Sequence, residues 1–204
     1  VVEAKGTRIG FLGYLQAGDW TLEGGGGRVA YLRAEDVVAD LRKHRGAVDV
    51  LVVSLHGDIE FQPAPSLPRL DLCRKIAEAG ADLVLCHHPH VPQGIERWGS
   101  CWIHYSLGNF LFDLRGYQLG ASPEVVRSHL FLVEIEGGRI RGWRRKFYRI
   151  HSEEGGRPRP LPATECGAEE AYYRNLDALL AQPDRLRELW HAYALRRLSG
   201  LMQQ

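Results

Sequence analysis

The chain has 204 residues, 45% of them hydrophobic, enough to close one core, and it holds no run of about 18 apolar residues that would cross a membrane. Lys plus Arg number 26 against 25 Asp plus Glu, a near balance that excludes the basic field of a nucleic-acid or anionic-membrane binder. The four cysteines, Cys73, Cys86, Cys101 and Cys166, show neither a C-x-x-C pair nor a recurring spacing, which argues against a zinc knuckle or a disulfide framework.

The amino terminus lacks the charged, apolar, small-residue order of a secretory signal. The chain opens at Val1 and enters an apolar strand, 8–14, almost at once, so upstream sequence is expected. A loop with four consecutive glycines follows at 17–28, then a helix over 34–45 with Val37, Val38 and Leu41 on one face. Residues 49–55 form a continuous β-branched and apolar run, the pattern of a strand buried on both faces by helices, and it delivers His56 to its carboxyl end. A proline-rich stretch at 62–68 leads to a helix over 70–79 closed by Gly80, and a short buried strand over 81–86 comes next. Strand, helix and strand imply a right-handed parallel crossover, with ligands gathered beyond the strand carboxyl ends. A further strand is expected over 101–107, and 128–136 with 139–150 reads as a hairpin turned at Gly137 and Gly138. The basic cluster 141–146 reads as a solvated strand face, not an RNA contact. After a Gly/Pro/Arg-rich break at 155–163, helical spacing from 169 to 201 marks a tail. The fold class is mixed α/β, with residues 1–150 as one unit and 151–204 as linker and helical tail.

Chemistry concentrates in Cys86, His87, His88, Pro89 and His90. In an extended segment residues two apart share a face, so His88 and His90 can offer both imidazoles to one ion, with His87 on the opposite side. Pro89 stiffens that pair and biases His88 to extended backbone. A lone H-x-H is more often a surface-loop feature than a ligand pair. Here, however, His56, Asp58 and Glu60 stand at the neighbouring strand end and supply a third imidazole and two carboxylates. Alone, Asp58 fits a turn cap and Glu60 a solvated carboxylate; beside the histidines, Glu60 can orient one of them. The segment from Tyr105 to Phe110 ends in a turn where Gly108 permits close backbone approach and Asn109 offers an amide. His44, His104, His129, His151 and His191 lack such company and read as structural or solvated.

The motifs in order are His56 to Phe61 with Pro63 and Pro65, Ala79 to Asp82, His87 to His90, Gln93 to Glu96, and Tyr105 to Phe110 with Asp113. Together they resemble the CapA family, also called the PgsA or poly-γ-glutamate capsule-synthesis family. The resemblance runs from about Lys5 to Asp113 and loosely to Ile150. It implies a calcineurin-like metallophosphoesterase fold, an αββα sandwich around two metal ions held by Asp, Asn and His. It maps metal ligation onto His56, His88 and His90, with Glu60, His87 and Asn109 in catalytic or supporting roles. The family's earlier carboxylate and asparagine ligands have no counterpart here, so the chain reads as the carboxyl-terminal half of such a domain. Cys86 departs from the glycine usual before the paired histidines.

The function this implies is metal-dependent phosphoester hydrolysis in capsule biosynthesis, using Mn, Fe or Zn ions, dinuclear in the intact domain. The substrate class is a phosphorylated or polyanionic small molecule or polymer. Capsule-synthesis membrane proteins are candidate partners, and nucleic acid is not. The competing class is a non-catalytic accessory that binds polymer. Family members in capsule systems work at the membrane or outside it, and this chain carries no address.

Overall fold

The computed structural model describes residues 1–16, 29–113 and 122–201. The predicted glycine-rich loop at 17–28 lies outside the described residues.

Six strands form the main sheet: β1 (Val2–Ala4), β2 (Thr7–Leu15), β3 (Val50–His56), β4 (Leu83–His87), β5 (Ile95–Trp98) and β6 (Cys101–His104). Their order is β1-β2-β3-β4-β6-β5. The inner strands β2, β3, β4 and β6 run parallel, and β1 and β5 are antiparallel edges. A second, antiparallel sheet contains β7 (Arg127–Glu136), β8 (Arg139–His151) and β9 (Arg157–Pro160). The hairpin predicted at Gly137 and Gly138 joins the first two of these. The fold is mixed α/β.

Helix α1 (Ala34–His44) sits where predicted. Helix α2 (Leu67–Glu78) starts three residues earlier than expected, because Ser66 accepts a hydrogen bond from the Arg69 amide and Pro68 suits the first turn. The helical spacing over 169–201 belongs to two helices, α3 (Ala163–Leu180) and α4 (Pro183–Leu201). Pro183 cannot continue a helix from within but can open one, so it sets the break.

The apolar run of β3 is buried on both faces, though by two different layers. On one face Leu51, Val53 and Leu55, with Val84 and Cys86 of β4, pack against Val37 and Leu41 of α1 and Cys73 and Ile76 of α2. On the other, Val50, Val52 and Leu83 meet Phe131, Val133, Ile135 and Ile140 of the second sheet. The expected helical cover on that second face is a sheet instead. A two-sided apolar strand pattern reports burial and not what does the burying. Each fully buried aliphatic side chain contributes roughly 1.5–3 kcal/mol.

The helical tail is packed into the body. β9 pairs with β8, and Leu176 and Tyr173 cluster with Phe147 and Leu161. Leu180 and Leu186 enter the core beneath the main sheet. Asp177 of α3 accepts the edge amide of Ile95 at 2.7 Å and pairs with Arg145 at 2.8 Å. Gly94 lets α3 approach, since a Cβ there would lie 2.5 Å from the Leu176 carbonyl oxygen.

Candidate metal centre

Parallel pairing sets His56 opposite His87, so the loops after β3 and β4 leave the same carboxyl-terminal edge of the sheet. Backbone and side-chain bonds knit the two loops together. The Gly57 amide donates to the His87 carbonyl at 3.1 Å and the Phe61 amide to the Pro89 carbonyl at 2.8 Å. The Gln93 side-chain amide donates to the Gln62 carbonyl at 2.9 Å. These bonds carry Glu60 to the histidines.

The backbone is unusual here. Asp58, Phe61, His88 and His90 have φ of 95°, 59°, 102° and 60°, and among the described non-glycine residues only Lys5 shares that sign elsewhere. Such conformations persist where surrounding bonds over-determine them, and they gather at ligand sites. The extended geometry expected of His88 and His90 is therefore not what brings them together. Two left-handed residues flanking Pro89 fold the segment back on itself, and the interloop bonds overcome the bias that proline exerts on His88.

The donors of Glu60, His88 and His90 all lie within 4.8 Å of one another. Glu60 Oε1 is 3.8 Å from Nε2 of each histidine. The His56 ring stands edge-on to that of His88, with centroids 5.1 Å apart. Behind His90, the Asn109 amide nitrogen donates to the carbonyls of His90 at 3.1 Å and Val125 at 3.2 Å. With the nitrogen so placed, Oδ1 is the atom facing His90 Nδ1 at 2.8 Å, and it can only accept. In its neutral form His90 thus carries its proton on Nδ1 and its lone pair on Nε2, the arrangement that ligating histidines use. Phe61 and Phe112 flank the His90 ring, at centroid distances of 6.1 and 5.0 Å.

Burial, followed by the neighbouring imidazoles, holds His56 below the ordinary histidine range. Burial also lowers His88, where Glu60 opposes it, and lowers His87. Neutral rings present the lone pairs that a cation needs.

Of the residues singled out from sequence, the structure brings together His56, Glu60, His88 and His90, with Asn109 behind them. His87 is not among these clustered donors: strand alternation sets it on the face of Leu83 and Leu85, a face that its in-register neighbour His56 shares. Glu60, expected as an orienting group, lies among the donors themselves. His104 and His129 are buried and share a 2.8 Å contact between their Nε2 atoms. Cys86 faces the core, its sulfur 3.6 Å from that of Cys73. Two residues that sequence reasoning passed over lie against this site. Arg69 is 3% exposed, and its Nη2 donates to Gln16 Oε1 at 2.7 Å. No motif marks either one; only the fold of α2 under the His56 loop brings them in.

The PGA biosynthesis protein CapA of Bacillus subtilis is 36% identical over 94 residues, 46% of this chain and 24% of that protein. The capsule biosynthesis protein CapA of Bacillus anthracis is 37% identical over 86 residues, 42% of this chain and 21% of that protein. The matches thus span about a quarter or less of those relatives. A hypothetical protein from Thermus thermophilus resembles the structure loosely, with a TM-score of 0.46 and 16% identity, over 72% of this chain and 60% of that one. The family described as bacterial capsule synthesis protein PGA_cap matches residues 1–114. That is more than half of the 204 residues, and this chain belongs to that family.

Proposed function

We propose that this chain contributes His56, Glu60, His88 and His90 to a divalent-metal centre, with Mn, Fe or Zn as the ion. On this reading the protein is a metal-dependent phosphoesterase of capsule or poly-γ-glutamate biosynthesis. Its architecture is a calcineurin-like αββα sandwich, of which α1 with α2, the six-stranded sheet and the three-stranded sheet form three layers.

The observation that carries the reading is the convergence of one carboxylate and two imidazoles within 4.8 Å. The residues fit an ion: donors at bond lengths of 2.0–2.1 Å around a tetrahedral centre lie about 3.4 Å apart, and Glu60 Oε1 is 3.8 Å from both Nε2 atoms. Glu60 and the histidines hold the ion, Asn109 fixes the His90 tautomer, and Phe61 and Phe112 exclude water from one side. When bound, the ion polarises a phosphoryl oxygen and acidifies an attacking water. One carboxylate with neutral imidazoles leaves a divalent ion with a net positive charge, which favours an anionic ligand.

A second reading, a polymer-binding accessory with a structural ion, draws on the relatives' names, which speak of biosynthesis and not hydrolysis. Metal content by mass spectrometry, after incubation with Mn²⁺, Fe²⁺ and Zn²⁺, tests the centre itself. About one ion per chain, lost in His88→Ala, is the expected result, and a metal-free wild type refutes it. Phosphatase turnover by the full-length protein, abolished in the same variant with folding intact, separates enzyme from accessory.

A further inference from the structure

Among the described residues, Arg69 is an unusual cation. Its side chain hangs from the first turn of α2 beneath the loop that carries His56, and only 3% of the residue is exposed. A guanidinium at that depth is normally matched by a carboxylate, because an unpaired buried charge is costly. Arg145, with a side chain only 1% exposed, follows the rule and grips Asp177. Arg69 does not. Among the described residues it makes no ion pair, its Nη2 has only the neutral Gln16 Oε1 at 2.7 Å, and its Nη1 is buried without a hydrogen-bond partner.

Its surroundings tie it to the loop that carries His56. A Cβ on Gly57, the residue after His56, would lie 2.9 Å from Arg69 Nη2 and 2.4 Å from Gln16 Cβ. With φ of +143° as well, Gly57 lets the loop rest on the guanidinium. The positive charge of Arg69 is felt at both His56 and His88. The neighbouring carboxylate, Asp58, is turned to the Ser66 amide at 2.9 Å. Gln16 Oε1, which also accepts from the Asp58 amide at 3.0 Å, is therefore a neutral placeholder on a cation that has donors to spare. Gln16 itself is exposed, so turning its side chain outward frees Nη2 without moving a core element, while Nη1 already lacks a partner.

We propose that Arg69 is the oxyanion-binding residue of this centre: with Gln16 turned aside, Nη1 and Nη2 donate to two oxygens of a ligand's phosphoryl group beside the histidines. Planar, two-point donation is what a guanidinium supplies and an ammonium cannot. The inference rests on the reading of the histidine cluster as the ligand site, and it adds the group that seats the anion.

Calorimetric titration of inorganic phosphate into the full chain tests it, run beside metal content on the same samples. Arg69→Gln is expected to weaken phosphate binding by ~10- to 100-fold while metal content stays at the wild-type level. Arg69→Lys, which keeps charge but not the fork, is expected to recover only part. Gln16→Ala, which deletes the placeholder, is expected to tighten phosphate by a few fold, and it keeps the proposal testable if Arg69→Gln fails to fold. Equal phosphate affinity in folded Arg69→Gln overturns the proposal. Unchanged or weaker binding in Gln16→Ala overturns it too, as does a wild type that binds glutarate, a dicarboxylate, but not phosphate. A metal-free wild type that still binds phosphate through Arg69 would sink the metal centre and leave the anion site standing.

Discussion

Replacing Asn109 with alanine removes three hydrogen bonds at once from a residue only 6% exposed. The His90 Nδ1 proton loses its acceptor at 2.8 Å, and the carbonyls of His90 and Val125 lose their donor at 3.1 and 3.2 Å. Each buried group left unpaired costs about 1–3 kcal/mol. The two carbonyls can recruit water into the space vacated, so the expected destabilisation is about 3 kcal/mol, read from urea denaturation. Metal affinity is expected to fall by about 10–100-fold, because His90 is no longer held with its lone pair on Nε2. Asn109→Asp separates the two effects. Its carboxylate still accepts from Nδ1, so the tautomer and most of the metal affinity survive. It cannot donate to either carbonyl, so the loss of stability remains. Metal titration of both variants, paired with their denaturation curves, reads each effect independently. If the alanine variant binds metal as tightly as wild type, or if both variants lose metal equally, Asn109 does not act through the His90 tautomer.

Asp177→Ala strands Arg145, whose side chain is 1% exposed, and also orphans the Ile95 amide; the expected cost is about 3–5 kcal/mol, and a loss below about 1 kcal/mol in urea denaturation would show that Arg145 finds another partner. Acid should unfold the chain through its buried histidines. His129 is pushed down to about 3, by burial first and then by Arg145, and His104 is lowered well below its ordinary value by burial and by His129. Folded-state values below the unfolded one mean that the unfolded chain binds more protons in that range, so stability is complete above about pH 6.5 and is lost as pH falls toward 3. Denaturation midpoints from pH 7 to 4 should therefore decline, and more shallowly in His129→Gln; equal slopes in the two proteins would place the acid sensitivity elsewhere.

Much of the fold was legible because the physics was local. The run from Val50 to Leu55 could only be a buried strand, and the paired glycines 137 and 138 could only be a tight turn. What stayed hidden depended on partners distant in sequence. The edge strands β1, β5 and β9 span only three or four residues each, too short for any alternation to register, and they exist because a longer neighbour offers an unpaired edge. The second sheet's cover of the main one was equally invisible, since an apolar strand face specifies burial without naming its partner. The tail's docking shows the same limit. Leu176, Leu180 and Leu186 announce apolar helix faces, while the contacts that decide where those faces go, Asp177 to Ile95 and Trp190 to the Pro65 carbonyl, join residues 82 and 125 positions apart.

The candidate site divides along a similar line. Residue types and order on the two loops pointed to His56, His88 and His90, because parallel strands deliver their loops to one edge whatever those loops contain. The means of convergence was not readable: it lies in left-handed backbone at His88 and His90, against the bias of Pro89, held by bonds to a loop some thirty residues earlier in the chain. Glu60 moves from the margin to the donor group for that reason, since the Phe61–Pro89 bond carries its neighbour inward. His87, although in register with His56, is not among the donors that lie within 4.8 Å of one another. Arg69 marks the farthest reach of the effect. In sequence it is one of many arginines, and only the conjunction of depth, a neutral partner and a glycine pressed against it gives it meaning. A charge that the fold buries without a counter-ion, next to a cluster suited to a cation, is explained most simply by an anion that both are shaped to hold.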